Sequence, residues 1–251
     1  MALRSLFDIQ NHVIAVAGAA GGLGSVIAAE LASRGCHLSL FDKNAEGLES
    51  LTCELTSAHS QVFDATKESD CESVFDSCVA HWGRIDGFVN CVGDFAVIPA
   101  TDMPIEVFSH ILETNVTAAL SMCRHAIKHM IPNRYGRIIN IASVSDSVAN
   151  PGYAAYAASK SALTHMTRVM AVEWAQYSIT ANAISPALCE TSLTRSFLAQ
   201  DDNLEYAISK IKMNRLLEPE DILGAVILLL SPGGSFITGQ AIHVDGGRTI
   251  A

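Results

Sequence analysis

Basic residues are scarce in this chain. It carries 16 Lys and Arg against 26 Asp and Glu, a formal net charge of -10. The densest stretch of cations, RHAIKHMIPNRYGR (124–137), is loosely spread. A nucleic-acid surface needs a clustered basic footprint, so that class is set aside. Paired cysteine motifs are missing as well. The seven cysteines, at 36, 53, 71, 78, 91, 123 and 189, are odd in number and include no C-x-x-C. That argues against a disulfide framework or a zinc site and for reduced thiols filling core gaps. His125 and His129 would share a helical face, but no third ligand stands near them in sequence, so no metal is expected. No apolar run approaches the roughly 18 residues of a membrane span. Asp8, Gln10, Asn11 and His12 interrupt an N-terminal segment that otherwise reads as a signal peptide, and its apolar part leads straight into a glycine-rich turn. The expected location is the cytoplasm. Linkers rich in Pro and Ser, low-complexity blocks and repeats are also absent.

What remains is a globular composition, 49% hydrophobic and 17% charged over 251 residues, with enough apolar material for a large core. Apolar strand-like runs alternate with helical segments. The strands are expected at 13–18, 37–42, 60–66, 85–93, 136–143, 179–186 and in AIHVDGG (241–247). The helices are expected at about 23–34, in NAEGLESLTCEL (44–55), and at about 68–81, 104–130, 153–176 and 219–230. Continuous apolar strands are buried on both faces, as in a parallel sheet covered by helices. Repeated βαβ units give an α/β, doubly wound Rossmann sheet of six to seven parallel strands, here as one domain over 1–251.

The first strand runs into AGAAGGLG (17–24), where Gly18, Gly22 and Gly24 allow a tight turn and a close approach of backbone N–H groups to a diphosphate. The following helix adds the positive end of its dipole. Asp42 ends the second strand, 18 residues beyond Gly24. A carboxylate there suits the adenosine ribose hydroxyls and repels the 2′-phosphate of NADP. Neither Ala19 nor Ala20 supplies a cation for that phosphate, so NAD is favoured over NADP, with Lys43 beside Asp42 softening the discrimination. A solvated Asp-Lys turn is the structural alternative.

YAAYAASK (153–160) places Tyr153 and Tyr156 at seven and four residues before Lys160. Spacing alone does not choose between the tyrosines, because both fall on the lysine's face of a helix. The wider pattern does. With the G-x-x-x-G-x-G loop come DAT (64–66), N-x-x-G (90–93), Asn115, Ser143 thirteen residues before Tyr156, N-x-x-x-P (182–186) and VDGG (244–247). In this order, over nearly the whole chain, the sequence resembles the short-chain dehydrogenase/reductase family.

The resemblance implies a tetrad of Asn115, Ser143, Tyr156 and Lys160. Tyr156 would be the acid/base, its phenol drawn below the usual value of about 10 by the ammonium and by a positive nicotinamide. Lys160 would also bind the nicotinamide ribose, Ser143 would hydrogen-bond the substrate oxygen, and Asn115 would hold a water linking Lys160 to solvent. Asp64 would reach the adenine, Asn90 and Gly93 would line the cofactor cleft, and Thr191 would touch the carboxamide or phosphates. Leu23, Ala65 and Pro186 complete the implied cofactor contacts. Structural readings stand beside these: Ser143 and Asp64 as caps of the segments that follow, Asn115 as a buried amide bending its helix. The chain departs from the family at Ala17 (usually Thr), at Cys91-Val92 (usually Asn-Ala) and at Ala187 (usually Gly).

Residues at about 188–215 mix apolar and polar side chains and would form a substrate lid. Asp94, Ser145, Asn150 and Tyr153 would lie at the mouth, suggesting a polar substrate such as a sugar, polyol or diol. Two rivals remain: an NADP-dependent 3-oxoacyl thioester reductase, and a non-catalytic dinucleotide-binding regulator. The family pattern also implies a homotetramer, with Ala154, Ala157, Ala158 and Ala162 permitting close helix packing between subunits.

Overall fold

A computed structural model describes residues 6–200 and 202–250; the domain limits expected at 1–251, and residue 201 of the expected lid, extend beyond the described residues. The seven strands are β1 (Val13–Ala17), β2 (His37–Asp42), β3 (Ala58–Val62), β4 (Gly87–Asn90), β5 (Gly136–Ile141), β6 (Ile179–Pro186) and β7 (Ala241–Val244). They form one sheet in the order β3-β2-β1-β4-β5-β6-β7, and all pairings are parallel. The order reverses between β1 and β4. Open parallel sheets bind ligands at that switch point, beyond the carboxyl ends of the strands.

The helices are α1 (Gly22–Ser33), α2 (Ala45–Glu54), α3 (Glu68–Trp82), α4 (Ile105–Leu112), α5 (Ala118–Met130), α6 (Ala154–Trp174), α7 (Arg195–Leu198), α8 (Asn203–Ser209) and α9 (Leu223–Leu230). Alternation along the strands divides the core in two. Ile14, Val16, Val89 and Ile184 face one cluster with Ile27 and Leu31 of α1 and Val226 of α9. Val13, Ala15, Phe88 and Ala181 face the other, with Val74 and Phe75 of α3, Met122 of α5 and Met170 of α6. The run of apolar residues in each strand thus reflects two buried faces rather than one.

The sequence pattern misplaces some boundaries. The third strand starts two residues earlier and ends four earlier than expected, because Phe63 turns into the core beside Phe41 while Asp64 begins the approach to α3. Strand β4 is shorter than the run 85–93, since the chain leaves the sheet after Asn90, whose own side chain accepts from Val92 N–H (3.0 Å). The helix expected at 219–230 opens as a 3-10 turn, Pro219–Ile222, fixed by a reciprocal Glu218–Asp221 capping box. The long helical region at 104–130 is broken by a π turn, Glu113–Thr117, in which Ala118 N–H reaches back to the Glu113 carbonyl.

Phe75 meets Phe41 and Phe88 edge to face at 5.8 and 5.0 Å and has no exposed surface. Phe75→Ala is expected to lower unfolding stability by about 3–5 kcal/mol through lost burial and a residual cavity, read as a shifted midpoint in urea.

Candidate active site

At the carboxyl edge of β1, the chain turns through Gly18 with φ +73°, where a Cβ would come 2.8 Å from the Cys91 carbonyl carbon. A Cβ at Gly24 would collide with the Gly18 carbonyl oxygen. The loop is pinned from β2. Gly18 N–H and Ala19 N–H donate to the Phe41 carbonyl, and the Asp42 carboxylate accepts from Ala20 N–H and Asn44 N–H, both at 2.9 Å. Asp42 therefore organises the glycine turn from below. Helix α1 begins at Gly22 with no side-chain cap and no acidic residue in its first turn. Its leading amides and dipole are available to an anion. This uncapped start beside a glycine cradle fits a dinucleotide diphosphate.

Neighbouring ends of the central strands are held by an amide chain. Asn90 Nδ2 donates to Asn140 Oδ1 (3.0 Å), and Asn140 Nδ2 donates to Thr167 Oγ1 (3.0 Å) on α6. This bracing offsets the side-chain amide that the chain lacks at Cys91. Asn140 and Thr167 carry no recognisable signal in the sequence, since their roles arise only when β4, β5 and α6 meet.

The π turn rotates Asn115 fully inward. Its side chain accepts from Asp94 N–H (2.7 Å) and donates to the Asp94 carbonyl (2.9 Å) and to Ser159 Oγ (2.9 Å). The satisfied buried amide weighed for this residue is present, within a π turn that interrupts its helix, and π turns gather at functional sites. Gly93 is squeezed alongside: a Cβ there would sit 3.3 Å from Lys160 Nζ and 3.4 Å from Asn115 Oδ1.

Ser143 follows β5 and caps a 3-10 turn, accepting from Ser145 N–H (3.1 Å). Ser143 also lines the same cavity as Tyr156 and tempers the ionisation of that phenol, so the capping role coexists with a position in the candidate site. Tyr156 and Lys160 lie one turn apart on α6. Lys160 is 4% exposed, donates to the Ile141 carbonyl (2.9 Å), and holds its Nζ 5.7 Å from the Tyr156 ring centroid.

Burial draws the Lys160 ammonium down to about 8, with the Cys91 thiol and the Asp146 carboxylate opposing that fall. Burial pushes the Tyr156 phenol up to about 12, tempered by Ser143. The lowering expected from Lys160 together with a positive nicotinamide is thus not supplied by the protein alone, where desolvation outweighs the effect of Ser143. Burial likewise raises Tyr153 to about 12, the neighbouring Arg248 drawing the other way.

Asp146 was not singled out by sequence pattern. Its 2%-exposed carboxylate receives Ser147 Oγ (2.7 Å), Ser185 Oγ (2.7 Å) and Thr164 Oγ1 (2.9 Å), and lies 3.1 Å from His243 Nε2. Burial alone would raise it, but these hydrogen bonds outweigh that and hold it below the ordinary carboxylate range. It ties the Ser143 turn to α6, β6 and β7.

Ser143, Tyr156 and Lys160 open into one cavity of about 550 Å³. Leu23, Gly93, Asp94, Ser145, Asn150, Tyr153, Pro186 and Thr191 also line it. Gly18, Gly22, Gly24, Asp42, Asp64, Ala65, Asn90 and Asn115 do not; they form the surrounding frame or lie toward the β2 and β3 edge. Asp64 accepts from Thr66 N–H (3.1 Å) and Thr66 Oγ1 (2.7 Å) in the turn before α3, whose N-cap is Lys67, so it does not cap that helix itself. The Asp94 carboxylate accepts from Phe95 N–H (2.8 Å) and faces His110 (3.0 Å). The structure adds Phe95, Phe197, Tyr206 and Arg248 to the lining. Phe95 packs edge to face on Tyr153 (5.3 Å), Tyr156 (4.9 Å) and Phe197 (5.9 Å). The segment 188–215 contributes through α7 and α8 and is tied back by a bridge between Cys189 and Leu217. His125 lies 2.8 Å from Glu68 and His129 3.0 Å from Asp76, so both are engaged between α5 and α3.

Comparison with known proteins agrees with this arrangement. A family model described as enoyl-(acyl carrier protein) reductase matches residues 18–249. The chain is 35% identical to a 3-oxoacyl-[acyl-carrier-protein] reductase of Rickettsia bellii, covering 96% of this chain and 98% of that protein. It is 31% identical to gluconate 5-dehydrogenase of Gluconobacter oxydans, with both chains covered in full. A solved structure of a gluconate 5-dehydrogenase from Burkholderia cenocepacia, in complex with NADP and tartrate, superposes with a TM-score of 0.94 at 28% identity, covering 98% of each chain. The chain belongs to the short-chain dehydrogenase/reductase family and is an NAD(P)-dependent oxidoreductase of that class. No described helix is long and apolar enough to cross a membrane.

The depressed lysine has a consequence for stability. Below pH about 8 both folded and unfolded chains carry the proton, and the burial penalty is complete. Between about 8 and the ordinary 10.5 the unfolded chain still holds a proton that the folded chain has released, so stability rises with pH. Chemical unfolding of the parent and of Lys160→Met should therefore show the parent gaining on the variant from pH 8 to 10.

Proposed function

We propose that this enzyme uses NAD to interconvert a polar secondary alcohol and its ketone, with Asn115, Ser143, Tyr156 and Lys160 as the reacting constellation. The observation that carries the reading is that Ser143, Tyr156 and Lys160 line one cavity, with the Lys160 Nζ 5.7 Å from the Tyr156 ring centre. In the oxidative direction the substrate O–H proton passes to Tyr156 while the C–H hydride leaves to the cofactor, and the products are ketone, reduced cofactor and one proton. When bound, the dinucleotide supplies the hydride acceptor and, in its oxidised form, a positive charge. Ser143 orients the substrate oxygen. Lys160 binds ribose and favours the ionised phenol, and Asn115 holds the Asp94 backbone and Ser159 around them.

Asp42 supports NAD over NADP. Its carboxylate stands buried at the end of β2 with both oxygens engaged by backbone amides, which favours a ribose hydroxyl and opposes a phosphate dianion. The chain acts as one unit over 1–251, with a lid at about 188–215 and with Ser145, Asn150 and Tyr153 on the substrate side. The enzyme is a cytoplasmic homotetramer. Ala154 and Ala158 support that assembly by leaving an exposed small-residue surface on α6.

Nicotinamide absorbance should be followed with NAD and NADP against polyols, secondary alcohols, ketones and oxoacyl thioesters. A kcat/KM at least tenfold higher with NAD is expected, and Asp42→Ala should erase most of that preference. A preference for NADP in the parent would overturn the reading of Asp42. Tyr156→Phe is expected to lower kcat by a thousandfold or more, in line with losing an acid/base whose site still binds cofactor. The same loss from Tyr153→Phe alone would show that the wrong tyrosine has been assigned.

A further inference from the structure

The charge of the cavity runs against that of the protein. The chain is acidic, at -10. Yet the described residues lining the cavity include three cations, Lys160, Lys210 and Arg248, and a single carboxylate, Asp94. That carboxylate is already occupied by Phe95 N–H and His110. Lys160 serves the reacting end. Arg248 has no such assignment. Its guanidinium, with five N–H donors, has one side-chain partner among the described residues, the neutral amide oxygen of Asn150 (2.9 Å). Asn150 in turn accepts Tyr153 N–H through its carbonyl (3.2 Å), which places Arg248 beside the chain that enters α6 at Tyr153. The cavity that Arg248 lines also has an aromatic wall: Tyr153 lies 6.2 Å from Tyr156 and 6.1 Å from Phe197, ring centre to ring centre.

A half-buried guanidinium whose side-chain partner is a neutral amide, lining an aromatic-walled cavity, is suited to a planar anion that can accept two of its N–H groups at once. A neutral polyol would leave that charge uncompensated. We propose that Arg248 is a specificity residue and that the substrate is a hydroxy- or oxo-carboxylic acid, its carboxylate on Arg248 and Asn150, its carbon skeleton against Phe95, Tyr153 and Phe197, and its reacting carbon at Ser143 and Tyr156. This rests on the dehydrogenase reading and narrows its substrate class. The cavity's positive sign within an acidic protein also draws such an anion inward at low ionic strength.

The test uses a matched pair of ring ketones, 4-oxocyclohexanecarboxylate and its methyl ester, with the full-length enzyme and NADH. The acid is expected to be reduced with a kcat/KM about tenfold to a hundredfold above the ester, the range for one charge-assisted contact. Most of the difference should lie in KM, and it should shrink as salt rises. Arg248→Gln should bring the acid-to-ester ratio close to one, and Arg248→Lys should restore part of it. Equal kcat/KM for acid and ester in the parent, or a ratio that Arg248→Gln leaves intact, overturns the proposal. Calorimetric titration of the NADH-bound enzyme with both compounds separates this result from the fate of the broader reading. If the acid binds through Arg248 but is not reduced, the anion subsite stands and the dehydrogenase reading loses this substrate. If both compounds are reduced alike through Tyr156, the dehydrogenase reading stands and the anion subsite falls.

Discussion

Lys160 carries an ammonium group into a position only 4% exposed, and much of the surrounding structure exists to hold it there. A buried cation is tolerated only when it is hydrogen-bonded or paired. Here the Ile141 carbonyl, at the open end of β5, accepts one N–H, and Asp146 supplies the nearby negative charge. Gly93 leaves room for the same ammonium, since a Cβ there would stand 3.3 Å from Nζ and 3.4 Å from Asn115 Oδ1. The π turn then brings Asn115 inward to tie the Asp94 backbone beside it. A parallel sheet meets this demand well, since its carboxyl edge leaves strand-end carbonyls unpaired just where α6 can deliver a lysine.

The same burial explains why the protein by itself keeps Tyr156 neutral. Desolvation penalises the phenolate more strongly than Ser143 favours it, which pushes the phenol up to about 12. The missing favourable charge is the one an oxidised nicotinamide carries. Tyr156 would then ionise readily only beside a cofactor of the right redox state, which couples proton transfer to hydride transfer and limits idle chemistry.

The fold was legible in the sequence, and the residues of the candidate site that line one cavity were marked there locally. Gly18, Gly24, Asp42, Ser143, Tyr156 and Lys160 fall in short stretches whose order reproduces the order of the strands. The strand ends of β3 and β4 were not legible, because the chain leaves the sheet after Val62 and after Asn90 for tertiary reasons that no periodicity shows. The far wall of the cavity was equally hidden. Arg248 meets Asn150 across 98 residues and His243 meets Asp146 across 97, both through closure of the last strand against the Ser143 turn. The polar mouth inferred from Asp94, Ser145, Asn150 and Tyr153 was partly legible: these residues do line the cavity, but Phe95 and Phe197 make much of its wall aromatic, and the Asp94 carboxylate is engaged with His110.

The central claim is that Tyr156 titrates under the control of cofactor charge, and ultraviolet difference spectroscopy reads it directly. The phenolate signal of the parent minus that of Tyr156→Phe should be followed against pH alone, with NAD in its oxidised form and with NADH. The account expects an apparent value near the top of the tyrosine range for the protein alone, a marked fall with the oxidised cofactor, and little change with the reduced one. A phenol that already titrates near neutrality in the protein alone, or that ignores the redox state of the cofactor, would contradict it.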